Sequence, residues 1–288
     1  MNNKSKPSLI INLRPEDYEI FDMRIKKPLT YEVFGKVDEG GSMVLQEKDE
    51  VLISNKKLEY FIPNNVAVLL SISQKAKCIA AELFEKNFNP TKTNIEILKA
   101  EDKINFAKRK SIEVADYIEQ IQTSIVFAYT TLEAFANLSI PEEYYFYQKV
   151  KSKGIDERYD KTAIEKWINL TTKLQNILPI IYKTKPIEKS KDWAYFVKLE
   201  KYRHEIVHQK SIEHTGFYKV YFQKDIFAIC SCAEAIIKFF YDNHSLEKSN
   251  PLWPWIIGKE KEFPIFKGDP EKFEVVGNIH EGIKKKTK

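Results

Sequence analysis

Two of the chain's five histidines stand four residues apart in the segment WAYFVKLEKYRHEIVH, residues 193–208. They are His204 and His208, with Arg203 directly before the first and Glu205 directly after it. On a helix a spacing of four puts both imidazoles on one face. Imidazole moves protons near neutral pH, since its unperturbed pKa is about 6.5. Guanidinium is a permanent planar cation that fits two phosphate oxygens at once. A phosphodiester is therefore one natural substrate. A second chemistry is open to the same residues, because two imidazoles one turn apart can also hold a metal ion.

The metal reading has a literal motif, His204-Glu205-Ile206-Val207-His208, which matches the zinc-peptidase pattern H-E-x-x-H with Glu205 acting on bound water. His214 falls where metzincins place a third ligand. The pattern then breaks. Ser211 stands in place of the turn glycine, no methionine follows His214, and Lys201 and Arg203 crowd the approach to the first histidine.

The segment Arg203-His204-Glu205-Ile206-Val207-His208 also resembles the signature of the HEPN family of helical-bundle ribonucleases. That signature is an arginine, a polar residue, a short gap and a histidine near a helix end. Leu199-Glu-Lys-Tyr before the arginine looks like the family too, and so does Tyr129-Thr-Thr-Leu-Glu-Ala-Phe-Ala-Asn137 on an earlier segment. The resemblance implies a metal-independent, cofactor-free endoribonuclease. Its products would carry a 2′,3′-cyclic phosphate and a 5′-hydroxyl. His208 would be the general base or acid, Arg203 the phosphate ligand, and His204 a substrate contact or second proton-transfer group. Glu133 and Asn137, one turn apart, would orient them, with Tyr202 and Glu205 in support. The family also implies a homodimer with a composite cleft, an RNA substrate such as tRNA, and a toxin or phage-defence role with an antitoxin or regulatory protein as partner. A third reading is a noncatalytic dimerising or partner-binding bundle, with Arg203 paired to an acidic side chain such as Glu133.

Geometry constrains the ribonuclease reading. Five positions on an ideal helix leave Arg203 and His208 about 140° apart. Either the helix loosens near His208 or a second subunit completes the site, which a twofold axis does by presenting the same patch twice. From 183 to 210 basic residues outnumber acidic ones, which suits a phosphate backbone.

The elements that must carry these residues follow from periodicity. Short apolar runs at 8–13, 31–35, 43–46, 51–54 and 58–62 predict a small, mostly antiparallel sheet, with Asn55-Lys56-Lys57 as a hairpin connection. Helical spacing predicts helices over 66–84, 101–137, 162–178, 189–209 and 222–243, with Pro141 and Pro179 as stops. The helix over 101–137 would reach about 55 Å, so it extends beyond the core or bends. The expected fold is mainly α: an antiparallel helical bundle, HEPN-like, over 63–245. A small β-rich segment over 1–62 precedes it, and an aromatic then basic tail over 246–288 follows. Trp253 and Trp255 would plug against the body, and the lysines from 284 on would be disordered.

Composition sets outer limits. The 288 residues are 43% hydrophobic and 30% charged, with 18 Phe, 15 Tyr and 4 Trp, which is globular and can build a sizeable core. The stretch from Tyr60 to Gln74 is too short and polar to span a bilayer, and the opening residues do not form a signal peptide. Three cysteines, Cys78, Cys230 and Cys232, predict a reduced, cytoplasmic setting rather than a disulfide framework. The net charge of +5 permits a polyanionic partner without demanding one.

Overall fold

The computed structural model describes residues 6–13, 21–33, 41–150, 155–209, 211, 215–244, 273–278 and 282–283. In chain order the strands and helices are β1 (Lys6–Asn12), β2 (Leu29–Val33), β3 (Gly41–Ile53), β4 (Lys56–Phe61), α1 (Asn65–Asn87), α2 (Lys103–Ser139), β5 (Phe146–Val150), β6 (Ile155–Tyr159) and α3 (Lys161–Trp167). Next come α4 (Leu170–Thr172), α5 (Leu178–Tyr182), α6 (Trp193–Val207), α7 (Ile226–Asn243), β7 (Phe273–Asn278) and β8 (Gly282–Ile283). The chain divides into two compact units. One is Met1–Val68 together with Ser245–Lys288, and the other is Leu69–His244.

The first unit is a mixed sheet of order β2-β3-β1-β7-β8, with β4 paired to the far half of β3. β1, β2 and β4 all run antiparallel to β3, whereas β7 lies parallel to β1, from Lys6↔Phe273 to Ile10↔Asn278. Val44 and Leu45 on β3, the strand with three partners, are buried. Beside them Lys26 and Glu47 form a largely buried ion pair at 2.6 Å. The β3–β4 connection is tighter than expected. Ile53 pairs with Lys56, so the turn is Ser54-Asn55 alone, at φ 48° and 66°. Both positions are left-handed, as a two-residue hairpin turn requires, and asparagine tolerates that better than most residues.

In the second unit α2 is the spine. Tyr117, Ile121, Ile125, Ala128, Leu132 and Phe135 are buried along it. Asp102 caps its start by accepting from the Asn105 amide at 3.1 Å. The expected apolar stripe fails at the first turns, where Ile104 and Ile112 are exposed, so the core begins only at Tyr117. α7 lays Ile229, Ala233, Ile236, Ile237 and Phe240 into the same core. α1 is tied in by Ser73, whose hydroxyl donates to the Ser124 carbonyl at 2.9 Å, and by Gln74, which donates to Glu234 at 2.7 Å.

The mainly α expectation, an antiparallel helical bundle preceded by a small β-rich segment, is therefore corrected. The fold mixes α and β throughout. Eight strands and seven α-helices are present among the described residues, and the sheet is not confined to the N-terminal segment. Parallel strands need a long crossover, and here the whole helical unit separates β1 from β7. A strand with so distant a partner leaves only a short β-branched run, Val275-Val276, as its trace in the sequence. A further hairpin, β5–β6, lies between α2 and α3.

The helix expected over 162–178 is also broken. α3 ends at Trp167, and Asn169 restarts the chain by accepting from the Thr172 amide at 2.7 Å. Residues Lys173–Ile177 form a π-helical turn, and Pro179 sits in the first turn of α5 instead of ending a helix. Proline is tolerated there because its missing N–H would have no intrahelical partner. Trp253, Trp255 and the terminal lysines lie outside the described residues. Among those residues no helix is long and apolar enough to cross a membrane.

Candidate active site

α6 forms because Phe196, Leu199 and Tyr202 recur at helical spacing and bury against the core. A surface ion pair between Lys198 and Asp225 links it to the start of α7. The helix ends at Val207. His208 leaves it at φ −119°, ψ 37°, while its amide still donates to the His204 carbonyl at 3.0 Å. The loosening that the ribonuclease geometry calls for therefore falls at His208 itself.

Beside α6 lies a cleft of about 490 Å³, lined by Tyr129, Val197, Glu200, Lys201, Arg203, His204 and Glu205. Arg203 lies over the Tyr129 ring, its guanidinium carbon 5.0 Å from the ring centroid, a cation–π contact that fixes a long, otherwise mobile side chain. Glu200 is held from two sides. The Thr171 hydroxyl donates to it at 2.9 Å, and the Tyr129 hydroxyl at 3.3 Å. Burial pushes the Tyr129 hydroxyl well above the usual tyrosine range, the nearby Glu200 and Glu133 charges push the same way, and Arg203 opposes them. Tyr129 is thus a neutral donor at physiological pH.

The expected site residues divide into four groups. Arg203, His204 and Glu205 share the cleft. His208 is exposed and outside the lining, but its ring meets that of His204 with centroids 4.8 Å apart. Tyr202 turns inward to the core, its ring edge-on to Tyr221 at 6.4 Å.

Glu133 and Asn137 lie further along α2 and do not line the cleft. Asn137 accepts from the buried Lys173 at 2.8 Å, and Lys173 also donates to the Glu165 carbonyl at 3.2 Å. Burial lowers the Lys173 pKa, against the pull of the Glu133 and Glu165 charges. Asn137 is therefore occupied by an ammonium from the π-helical turn.

Sequence reasoning did not single out Tyr129, Thr171, Glu200 or Lys173 for a site role. Two local signals existed. Glu200 precedes Arg203 by three residues, and Tyr129 precedes Glu133 by four, both same-face spacings on a helix. For the metal reading, no group of three or more potential ligands occurs among the described residues, and His214 lies outside them.

No protein-family model matches the chain, and neither a curated protein nor a solved structure matches it significantly.

Proposed function

We propose that the protein is a metal-independent endoribonuclease that cleaves RNA by transesterification. The observation that carries this reading is the arrangement on the last turns of α6. Arg203 and His204 open into one cleft, and the His208 ring lies 4.8 Å from that of His204. A histidine takes the proton from the 2′-OH, the 2′-oxygen attacks the adjacent phosphorus, and the bond to the 5′-oxygen breaks. The second histidine protonates that leaving oxygen. Arg203, held by Tyr129, neutralises the charge gathering on the phosphoryl oxygens. The products are a 2′,3′-cyclic phosphate and a 5′-hydroxyl.

The HEPN-like motif at Arg203–His208 supports the same reading. His208 lies outside the lining of its own cleft, which favours a homodimer in which each chain contributes to a composite site. The role that fits is a toxin or phage-defence effector under the control of an antitoxin or regulatory protein. The setting that fits is the cytoplasm, with Cys78, Cys230 and Cys232 as free thiols.

The test is incubation of the purified chain with tRNA or total RNA, with and without EDTA, followed by end-group analysis. Cleavage that persists in EDTA and leaves cyclic phosphates is the expected result. Absence of cleavage, or cleavage abolished by EDTA and restored by zinc, overturns the proposal.

A further inference from the structure

The β5–β6 hairpin and the helix after it expose aromatic rings, each beside a cation. In β5–β6 Tyr147 stands directly opposite Arg158, and Lys149 opposite Asp156. Alternate residues of a strand share a face, so Tyr147, Lys149 and Arg158 lie on the same side. The Arg158 guanidinium carbon lies 4.7 Å from the centroid of the Tyr145 ring, just ahead of the strand. Tyr145 is 44% exposed and Tyr147 65%. On α3 the pattern repeats. Trp167 is 68% exposed, and the Lys166 ammonium lies 4.8 Å from its ring centroid.

A single exposed aromatic is ordinary. Three on one hairpin-and-helix module, none needed for the core and all beside a cation, form a repeated chemical pattern. Flat apolar faces stack on bases, and adjacent cations meet the phosphates between them, which is how single-stranded nucleic acids are held without sequence readout. A duplex hides its base faces in its own stack and cannot use such rings.

In sequence the module runs up to a residue that touches the cleft lining. Trp167 ends α3, and four residues later Thr171 donates to Glu200 in the cleft lining. Four residues of chain span at most about 14 Å.

We infer that Tyr145, Tyr147 and Trp167, with Arg158 and Lys166, form a stacking platform for single-stranded RNA that leads to the Arg203 cleft. The ribonuclease reading supplies the identity of this ligand. The platform therefore makes the substrate class single-stranded or looped RNA rather than duplex.

The test measures binding separately from cleavage. In a full-length His208→Ala background, Tyr147→Ala and Trp167→Ala are each titrated against a labelled mixed-sequence single-stranded RNA and against its duplex, read by fluorescence anisotropy. Each variant is expected to weaken single-strand binding by at least about fivefold while leaving duplex binding unchanged. Both side chains are solvent-exposed, so folding, checked by circular dichroism, stays intact. Unchanged single-strand affinity in both variants overturns the platform. Cleavage by the otherwise native chain is followed in parallel. Weakened binding without any cleavage leaves the platform standing and removes the ribonuclease reading. Cleavage with unmoved affinities does the reverse.

Discussion

Tyr117 and Tyr129 lie on the same helix, α2, and both are buried, yet their surroundings have little in common. The Tyr117 hydroxyl donates to the Tyr221 carbonyl at 2.6 Å, and its ring packs against Phe222 at 4.9 Å, Phe88 at 5.5 Å and Phe84 at 6.0 Å. These partners are aromatic rings and a backbone carbonyl, and burial, with the nearby Cys230 thiol adding to it, pushes the phenol well above the usual tyrosine range. Around Tyr129 the neighbours are a carboxylate, a guanidinium and an open cleft. The first tyrosine closes a core, and the second supports groups that face solvent. The same residue type on one helix thus marks both a closed stretch of the unit and an open one, and the partners brought by other elements decide which is which.

Truncation in the closed stretch has the largest expected effect. Tyr117→Ala removes a ring from an aromatic cluster and orphans the Tyr221 carbonyl, at a cost of about 3–5 kcal/mol. Urea unfolding measures it, and a loss below about 1 kcal/mol would break the contrast between the two stretches. Next comes Arg203→Ala at the open one. RNA cleavage should fall by about 100-fold or more, the scale for losing one transition-state charge contact. The unfolding midpoint should barely move, because Arg203 is only partly buried and rests on one ring. A matching loss of stability would make the arginine a structural group. The smallest effect belongs to Tyr129→Phe. Glu200 keeps the Thr171 hydroxyl and Arg203 keeps a ring to lie over, so stability changes by about 1 kcal/mol or less. A loss as large as that of Tyr117→Ala would erase the distinction.

Much of the helical unit is legible in the sequence, for a local reason. α2 and α7 carry apolar residues at a period close to 3.6, and their observed bounds lie within a few residues of those expected. The imidazole pair is legible for the same reason, since a spacing of four is a local property. What escaped depends on partners distant in sequence. β7 is a short run whose strand character comes from β1. The break at Ile168 is hidden because Trp167 and Leu170 continue an apolar pattern across it, with the Asn169 cap as its one local mark. Tyr129 could not be joined to Arg203 and Glu200 from sequence, because the register between α2 and α6 is set by packing. The family resemblance puts Asn137 beside the arginine, and no local signal shows that its side chain accepts from Lys173, which comes from a distant turn.

The parallel pairing of β1 with β7 also sets a timetable for synthesis. A ribosome adding about 5–20 residues per second needs on the order of tens of seconds to pass from one strand to the other. Throughout that interval one edge of β1 lacks its mate, and an unmatched strand edge is an invitation to neighbouring nascent chains. The sheet is the last part of the described fold to be completed, although its first strand is the first to be made.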